Sequence, residues 1–345
     1  VNDLVKAAIV GCGGIAQVHA EVLAGLENVE LAACADIRPE RAAGMAEAYG
    51  CRAYGSLEDL FRAERVDVLH ICTPHDLHTP MALQAAERGV NVFTEKPPSI
   101  SREEFARFST AAEKVAVGVC FQNRYNKSVQ SVKSLLRSGK TGRILGARAF
   151  VTWCRGEGYY RGSGWRGRLA TEGGGVLINQ SIHTLDLLTE FLGTPSFAEA
   201  HAANHHLKGV IEVEDTLEAY IDYSGRPAVF YATTAHCADS AVLIELCTEN
   251  ATIRLEGENV FCAWKDGREE SIRFGRQAVL GKSCWGSGHV AIIRDFYDCL
   301  QTGRDFPVSP AKTSTTMELM FGLYASSLEN KRVYFDPRGR EAPPD

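Results

Sequence analysis

A short apolar run, Val5–Val10 (VKAAIV), is followed at once by Gly11-Cys12-Gly13-Gly14-Ile15-Ala16 and then by a helix-favouring stretch to about Leu26. Strand, glycine-rich turn and helix in direct succession leave few folds open. In this GxGxxA pattern Gly11 allows the tight turn, Gly13 lets the backbone approach a pyrophosphate, and Ala16 permits close packing of helix on strand. The amino terminus of the helix, where Gly14 and Ile15 lie, supplies the positive end that an anion needs. The next apolar run, Val29–Ala35, ends in Asp36, 20 residues beyond Ala16. A carboxylate there can accept from the adenosine ribose hydroxyls and repels a 2′-phosphate. NAD is therefore expected over NADP, although Arg38, beyond Ile37 in the same loop, suits the phosphate.

The unit then repeats. Helical stretches at Pro39–Tyr49, Leu57–Ala63, Pro80–Arg88 and Arg102–Lys114 alternate with strand-like runs at Cys51–Tyr54, Val66–Cys72, Val90–Thr94 and Val115–Phe121. Such alternation predicts a doubly wound parallel sheet, an α/β domain. The strand ends at Gly11, Asp36, Thr73, Glu95 and Gln122 then face one edge, where open α/β sheets keep their ligands. At this edge Asn91–Ser99 (NVFTEKPPS) delivers Glu95 and Lys96 before Pro97 and Pro98 end the strand. A lysine so placed can hydrogen-bond a reacting hydroxyl, and its pKa falls readily in a dry site. Taken alone, the dipeptide would read as a solvated strand end. Thr73-Pro74-His75, with His78 three residues on, offers two histidines, but no third ligand stands near in sequence. A turn lining the cofactor is expected there, not a metal site.

At 345 residues the chain exceeds a single core, so two domains are expected. The first is a dinucleotide-binding domain over 1–122, and the second, over 123–345, binds substrate and other subunits. Beyond a helix at Lys127–Ser138, alternating patterns at Ile144–Trp153, Ser196–Asn204, Glu214–Tyr223, Ala228–Thr234, Ala241–Cys247, Thr252–Glu256 and Asn259–Ala263 predict a large, mostly antiparallel open sheet in an α+β domain. Helices would cover one face and leave the other for a partner subunit. Within this half, Glu172-Gly173-Gly174-Gly175 opens a helix from Val176 in which Asn179, His183 and Asp186 are spaced i, i+4, i+7 on one face. Three polar groups, one titrating near neutrality, make a candidate catalytic face, although a buried histidine satisfied by its neighbours fits the same pattern.

Bulk properties narrow the partner. The net charge is −6, and no basic run of five or more residues appears, so neither nucleic acid nor an anionic membrane is expected. No apolar segment approaches the ~20 residues that span a bilayer. The first residues run into a strand, with no leader pattern expected. The 11 cysteines are scattered, with no CxxC and no Cys/His pair at zinc spacing. Reduced thiols, a cytoplasmic location and a small-molecule partner are the expectation.

Three features in combination, GCGGIA with Asp36, TEKPP at Lys96 and GGGVLINQSIHTLD, resemble the Gfo/Idh/MocA oxidoreductase family (glucose-fructose oxidoreductase and inositol dehydrogenase relatives) over essentially the whole chain. The resemblance implies that Lys96 is the lysine of an EKP motif and that His183 ends a D/N-x-x-x-H element. Many relatives carry Asp in place of Asn179, so Asn179 is expected to hold a substrate hydroxyl. It further implies that Thr73, Pro74, His75 and Glu95 line the nicotinamide and ribose, and that Trp165 and Arg166 reach the cofactor. Arg124, Tyr125 and Tyr160 are implied for the sugar pocket, and the antiparallel sheet for a homodimer or homotetramer.

The expected chemistry is reversible NAD-dependent oxidation of a secondary alcohol on a sugar, cyclitol or related polyol. His183 takes the hydroxyl proton, Lys96 stabilises the developing charge, and Asn179 holds a hydroxyl. The alternatives are NAD-dependent glycoside cleavage by transient oxidation and elimination, and a non-catalytic sensor of NAD or sugar.

Overall fold

The computed structural model describes residues 4–274, 287–336, 339, 341 and 342. The chain forms two compact units, Val1–Gln122 with Ala278–Lys312 and Asn123–Gln277 with Thr313–Asp345. The chain leaves the first unit at Gln122, but the described residues 287–312 belong to it again instead of continuing the second unit.

In the first unit six strands, β1 (Val5–Val10), β2 (Val29–Ala35), β3 (Arg52–Tyr54), β4 (Val68–Ile71), β5 (Asn91–Thr94) and β6 (Val117–Val119), pair in parallel in the order β3-β2-β1-β4-β5-β6. This is the strand order of a dinucleotide-binding sheet, reversing direction of winding between β1 and β4. Ala7, Ala8 and Ile9 of β1 have no exposed surface, as befits a strand covered on both faces. The returning segment is held by an aromatic cluster. Phe296 lies 5.2 Å from both Phe93 and Phe306, ring to ring, and Val119 N–H donates to Val308 O at 2.9 Å. Nothing in the local pattern of helix His289–Thr302 distinguishes these partners from those the second unit could offer, so a single boundary was expected.

The second unit carries ten strands, β7 (Ile144–Thr152), β8 (Phe197–Ala203), β9 (Thr216–Asp222), β10 (Pro227–Thr233), β11 (Leu243–Thr248), β12 (Ala251–Glu256), β13 (Asn259–Trp264), β14 (Glu269–Arg273), β15 (Val333–Phe335) and β16 (Glu341–Ala342). Their order is β14-β13-β12-β11-β7-β10-β9-β8-β15-β16, antiparallel throughout except for the parallel β7–β10 pair. The edge strands escape a pattern-based reading for a physical reason. β14 is exposed along its whole length and shows no alternation, and β15 and β16 are only three and two residues long. In β9 Leu217 and Ile221 are fully buried while Glu218 and Tyr220 face out. Across the outward face Tyr220 stands opposite Val229, Val229 opposite Arg148, and Arg148 opposite Glu245.

The helix expected from Val176 begins instead with a π-helical turn, Val176–Ser181, before the α-helix Ile182–Leu192. Side chains from outside the turn and Ser181 within it take backbone groups at this point. Gly175 N–H and Leu177 N–H donate to the Glu214 carboxylate at 2.8 and 3.0 Å, Ile178 N–H donates to the Tyr324 hydroxyl, and Ser181 Oγ donates to Val176 O at 2.9 Å. The expected packing residues Leu177, Leu185 and Leu188 are fully buried.

Candidate active site

The first unit builds a dinucleotide cradle. Gly11 follows β1 at φ +83°, and a Cβ there would stand 2.7 Å from Cys72 O, so only glycine fits. A Cβ on Gly13 or Gly14 would meet nothing within 4 Å, which leaves space for a phosphate beside the backbone. The 11-residue helix Gly14–Ala24 starts there, with Ala16 fully buried against the sheet. Beyond β2, Asp36 accepts from Cys12 N–H and from Arg38 N–H, both at 2.8 Å, so its carboxylate ties the glycine loop to the second strand end. Ile37 is 89% exposed. Backbone donors at a helix amino terminus and a carboxylate acceptor of this kind fit NAD, which when bound supplies a hydride acceptor.

The ends of β4 and β5 are joined by His78, whose Nδ1 lies 2.7 Å from Pro97 O and whose Nε2 lies 2.9 Å from Thr73 O. Burial pushes the His78 pKa down, although both carbonyls oppose that shift. His78 is thus a clamp between the Thr73–Pro74 turn and the EKP turn, and its ring packs 5.9 Å from that of His75. Lys96 is half-buried at the carboxyl end of β5, its bond to Pro97 is cis, and Gln122 is buried at the end of the first unit. Glu95 does not sit on the surface of this edge. It is 8% exposed, accepts from His19 Nε2 at 3.1 Å and lies 4.0 Å from His289. Burial alone would raise the Glu95 carboxyl, but the His19 hydrogen bond and the nearby His19, His289 and Lys96 hold it well below the usual carboxylate range.

In the second unit Asn179 and His183 are both half-buried, on the π-turn and the helix that continues it. Asn179 Nδ2 donates to Glu172, a residue that sequence reasoning passed over. Glu172 is fully buried, also accepts from Gly167 N–H, and burial pushes its carboxyl up to about 7. The signal available was its position directly before the three glycines. Those glycines are dictated by contact, since a Cβ on Gly175 would stand 1.9 Å from Glu214 O and one on Gly174 would stand 2.1 Å from the Tyr324 hydroxyl.

Two expectations for this unit, those for Arg124 and Asp186, change. Arg124 is 5% exposed and does not stand open to a sugar: its Nε donates to Asp186 Oδ2 at 2.7 Å, its NH2 to Asp186 Oδ1 at 2.5 Å, and its NH1 pairs with Glu190 at 2.7 Å. Asp186, fully buried and bonded also to Thr316 Oγ1 at 2.8 Å, serves that ion pair. Tyr160 is 3% exposed and packs with Ile211 and Val213, burial pushes its phenol up, and it also lines a cavity with Arg166, Gly167 and Ile211. Tyr125, half-buried, neighbours Arg124. Arg166 lies over the rings of Tyr159 and Trp165 at 4.6 and 4.8 Å, which stiffens the Trp165-Arg166 turn.

The comparison with known proteins decides the family. Residues 5–123 match the family model described as an oxidoreductase family with an NAD-binding Rossmann fold, and residues 129–254 match the GFO/IDH/MocA C-terminal domain. The chain belongs to the Gfo/Idh/MocA oxidoreductase family. It is 30% identical to D-glucoside 3-dehydrogenase of Escherichia coli over 203 residues, 57% of this chain and 56% of that protein. A similar match to glucose-6-phosphate 3-dehydrogenase of Bacillus subtilis, 33% identical, covers 41% and 40%. The chain thus spans about half the length, or less, of these curated relatives. Among solved structures, the WlbA dehydrogenase of Bordetella pertussis with NADH and UDP-GlcNAcA superposes with a TM-score of 0.85 at 26% identity, over 96% of this chain and 99% of that one. Levoglucosan dehydrogenase with NADH, at 20% identity and a TM-score of 0.87 over 96% and 99%, shows the shared fold.

Proposed function

We propose that this member of the family oxidises a secondary alcohol of a sugar, cyclitol or sugar derivative, with NAD as acceptor. One observation carries the reading: Lys96 stands at the carboxyl end of β5, next to β4, which with β1 forms the switch point of the 3-2-1-4-5-6 sheet. The glycine loop, Asp36 and the Thr73–His78 turn would hold the dinucleotide, whose nicotinamide accepts the hydride when bound. Lys96 hydrogen-bonds the reacting oxygen and stabilises its developing negative charge. His183 takes the hydroxyl proton as general base. Asn179, oriented by its bond to Glu172, offers its amide oxygen to a substrate hydroxyl. Relatives named as glucoside and inositol dehydrogenases support the substrate class.

The alternating outward face of the ten-stranded sheet, with Tyr220 41% and Val229 48% exposed, supports a second copy of the chain as its partner. The ten described cysteines are free, in keeping with a reducing, cytoplasmic setting.

The test is turnover of the Lys96→Ala and His183→Ala proteins with the substrate that the wild-type chain oxidises. A loss of roughly 10²-fold or more in kcat for each supports the roles given. Wild-type turnover by either variant removes that residue from the mechanism.

A further inference from the structure

Behind the Lys96 turn lies a buried chain of polar groups that the proposed reaction does not use. Tyr297 Oη is 2.9 Å from His70 Nε2, His70 Nδ1 is 2.9 Å from His19 Nδ1, and His19 Nε2 is 3.1 Å from Glu95 Oε1. Tyr297 is 1% exposed, and the two histidines have no exposed surface. Its members come from four places in the fold: the helix His289–Thr302, β4, the helix Gly14–Ala24 and the end of β5.

The chemistry of these groups couples the direction of every bond to the next. A carboxylate at Glu95 can only accept, so His19 carries a proton on Nε2, and with no second proton its ring accepts at Nδ1. His70 must then donate from Nδ1 and accept at Nε2, which leaves Tyr297 as donor. All three bonds point toward Glu95. A second proton on His19 would reverse every bond upstream of it, so the tautomer of His70 and the orientation of Tyr297 are coupled to the charge at Glu95. Buried bonds in series polarise one another in the same sense. Beyond this chain Glu95 is faced by His289, by Cys72 and His78, by Cys120, and by Lys96, whose backbone N–H also donates to it at 3.3 Å.

We propose that Tyr297, His70 and His19 are positioning residues that together hold Glu95 as a fixed carboxylate beside Lys96 and so keep the Lys96 amine an ammonium donor toward the substrate oxygen. This rests on the role given to Lys96 above. It adds a reason for the acid that precedes the lysine: its charge faces inward, on a hydrogen-bonded support, and not outward to a ligand.

The experiment needs no substrate, so it stands apart from the question of turnover. The full-length protein is labelled with acetic anhydride across a pH series, and acylation of Lys96 is followed by mass spectrometry. Glu95→Gln removes the charge and is expected to lower the midpoint for Lys96 by about one pH unit, roughly tenfold faster labelling at a fixed lower pH. Tyr297→Phe and His70→Leu, which interrupt the chain without touching Glu95, should shift it in the same direction by at least about threefold in rate. His70→Gln, which can still donate toward His19 and accept from Tyr297, should restore wild-type labelling. If Tyr297→Phe and His70→Leu label like wild type, or if His70→Gln shifts as far as His70→Leu, the chain does not act on Lys96. Unchanged labelling in Glu95→Gln overturns the proposal at its last link.

Discussion

The side-chain nitrogen of Asn179 donates to the carboxylate of Glu172, a residue with no exposed surface. An asparagine beside the candidate base therefore has an acid one hydrogen bond behind it. The direction of that bond matters, because it turns the amide oxygen of Asn179 away from Glu172.

Burial lifts the Glu172 carboxyl from 4.5 to about 7, so the folded chain binds that proton more tightly than the unfolded chain. The stability this contributes is fully present below the unfolded value and is lost as pH rises through the folded one. Glu172→Gln removes the titration while keeping the acceptor for Gly167 N–H. The melting temperature of the variant, relative to wild type, should rise between pH 5 and about pH 8, by a free-energy change on the order of 2 kcal/mol. A difference independent of pH would show that Glu172 is ionised in the folded state throughout.

The glycine loop makes a paired prediction. Gly11→Ala combines a positive φ with a Cβ at 2.7 Å from Cys72 O, so it should destabilise the cofactor-free protein by about 2 kcal/mol or more. Gly13→Ala meets no atom within 4 Å and should leave the melting temperature within a degree or two. Its methyl group would occupy the space open to the pyrophosphate, so NADH affinity, read by nicotinamide fluorescence, should fall at least about tenfold. Equal affinities for wild type and Gly13→Ala would move the dinucleotide away from this loop.

Arg124 separates a structural from a substrate-binding role. Asp186→Ala leaves its guanidinium buried with one ion-pair partner lost, an outcome that costs about 3 kcal/mol. Denaturant unfolding should show that loss, with KM for the substrate nearly unchanged in the folded fraction. A raised KM with unaltered stability would instead return Arg124 to the sugar pocket.

The first sheet was readable because all its strands but the exposed three-residue β3 are short apolar runs set between glycines and helices, and the GxGxxA spacing names its ligand. The middle strands of the second sheet were readable from their alternation, whereas β14, with no buried residue, carries none. Spacing on an ideal helix brought Asn179, His183 and Asp186 to one face, but it could not show that Glu214 and Tyr324 open the first turn into a π-helix. Nor could it show that Asp186 is taken by Arg124, from 62 residues earlier. Glu172 and the Tyr297–His70–His19 chain were hidden for the same reason. Their partners are distant in sequence, and a buried histidine looks the same in one dimension whether it fills space or carries a hydrogen-bond relay.

The measurement to make first is NADH formation at 340 nm by the purified protein with NAD, and in parallel NADP, across a panel of polyols, free sugars and glycosides. Net NADH with a polyol or sugar, at a rate at least about tenfold greater with NAD than with NADP and lost in Lys96→Ala, is the expected result. Tight NAD binding with no net NADH, accompanied by release of free sugar from a glycoside, would contradict it and identify an oxidation–elimination enzyme instead.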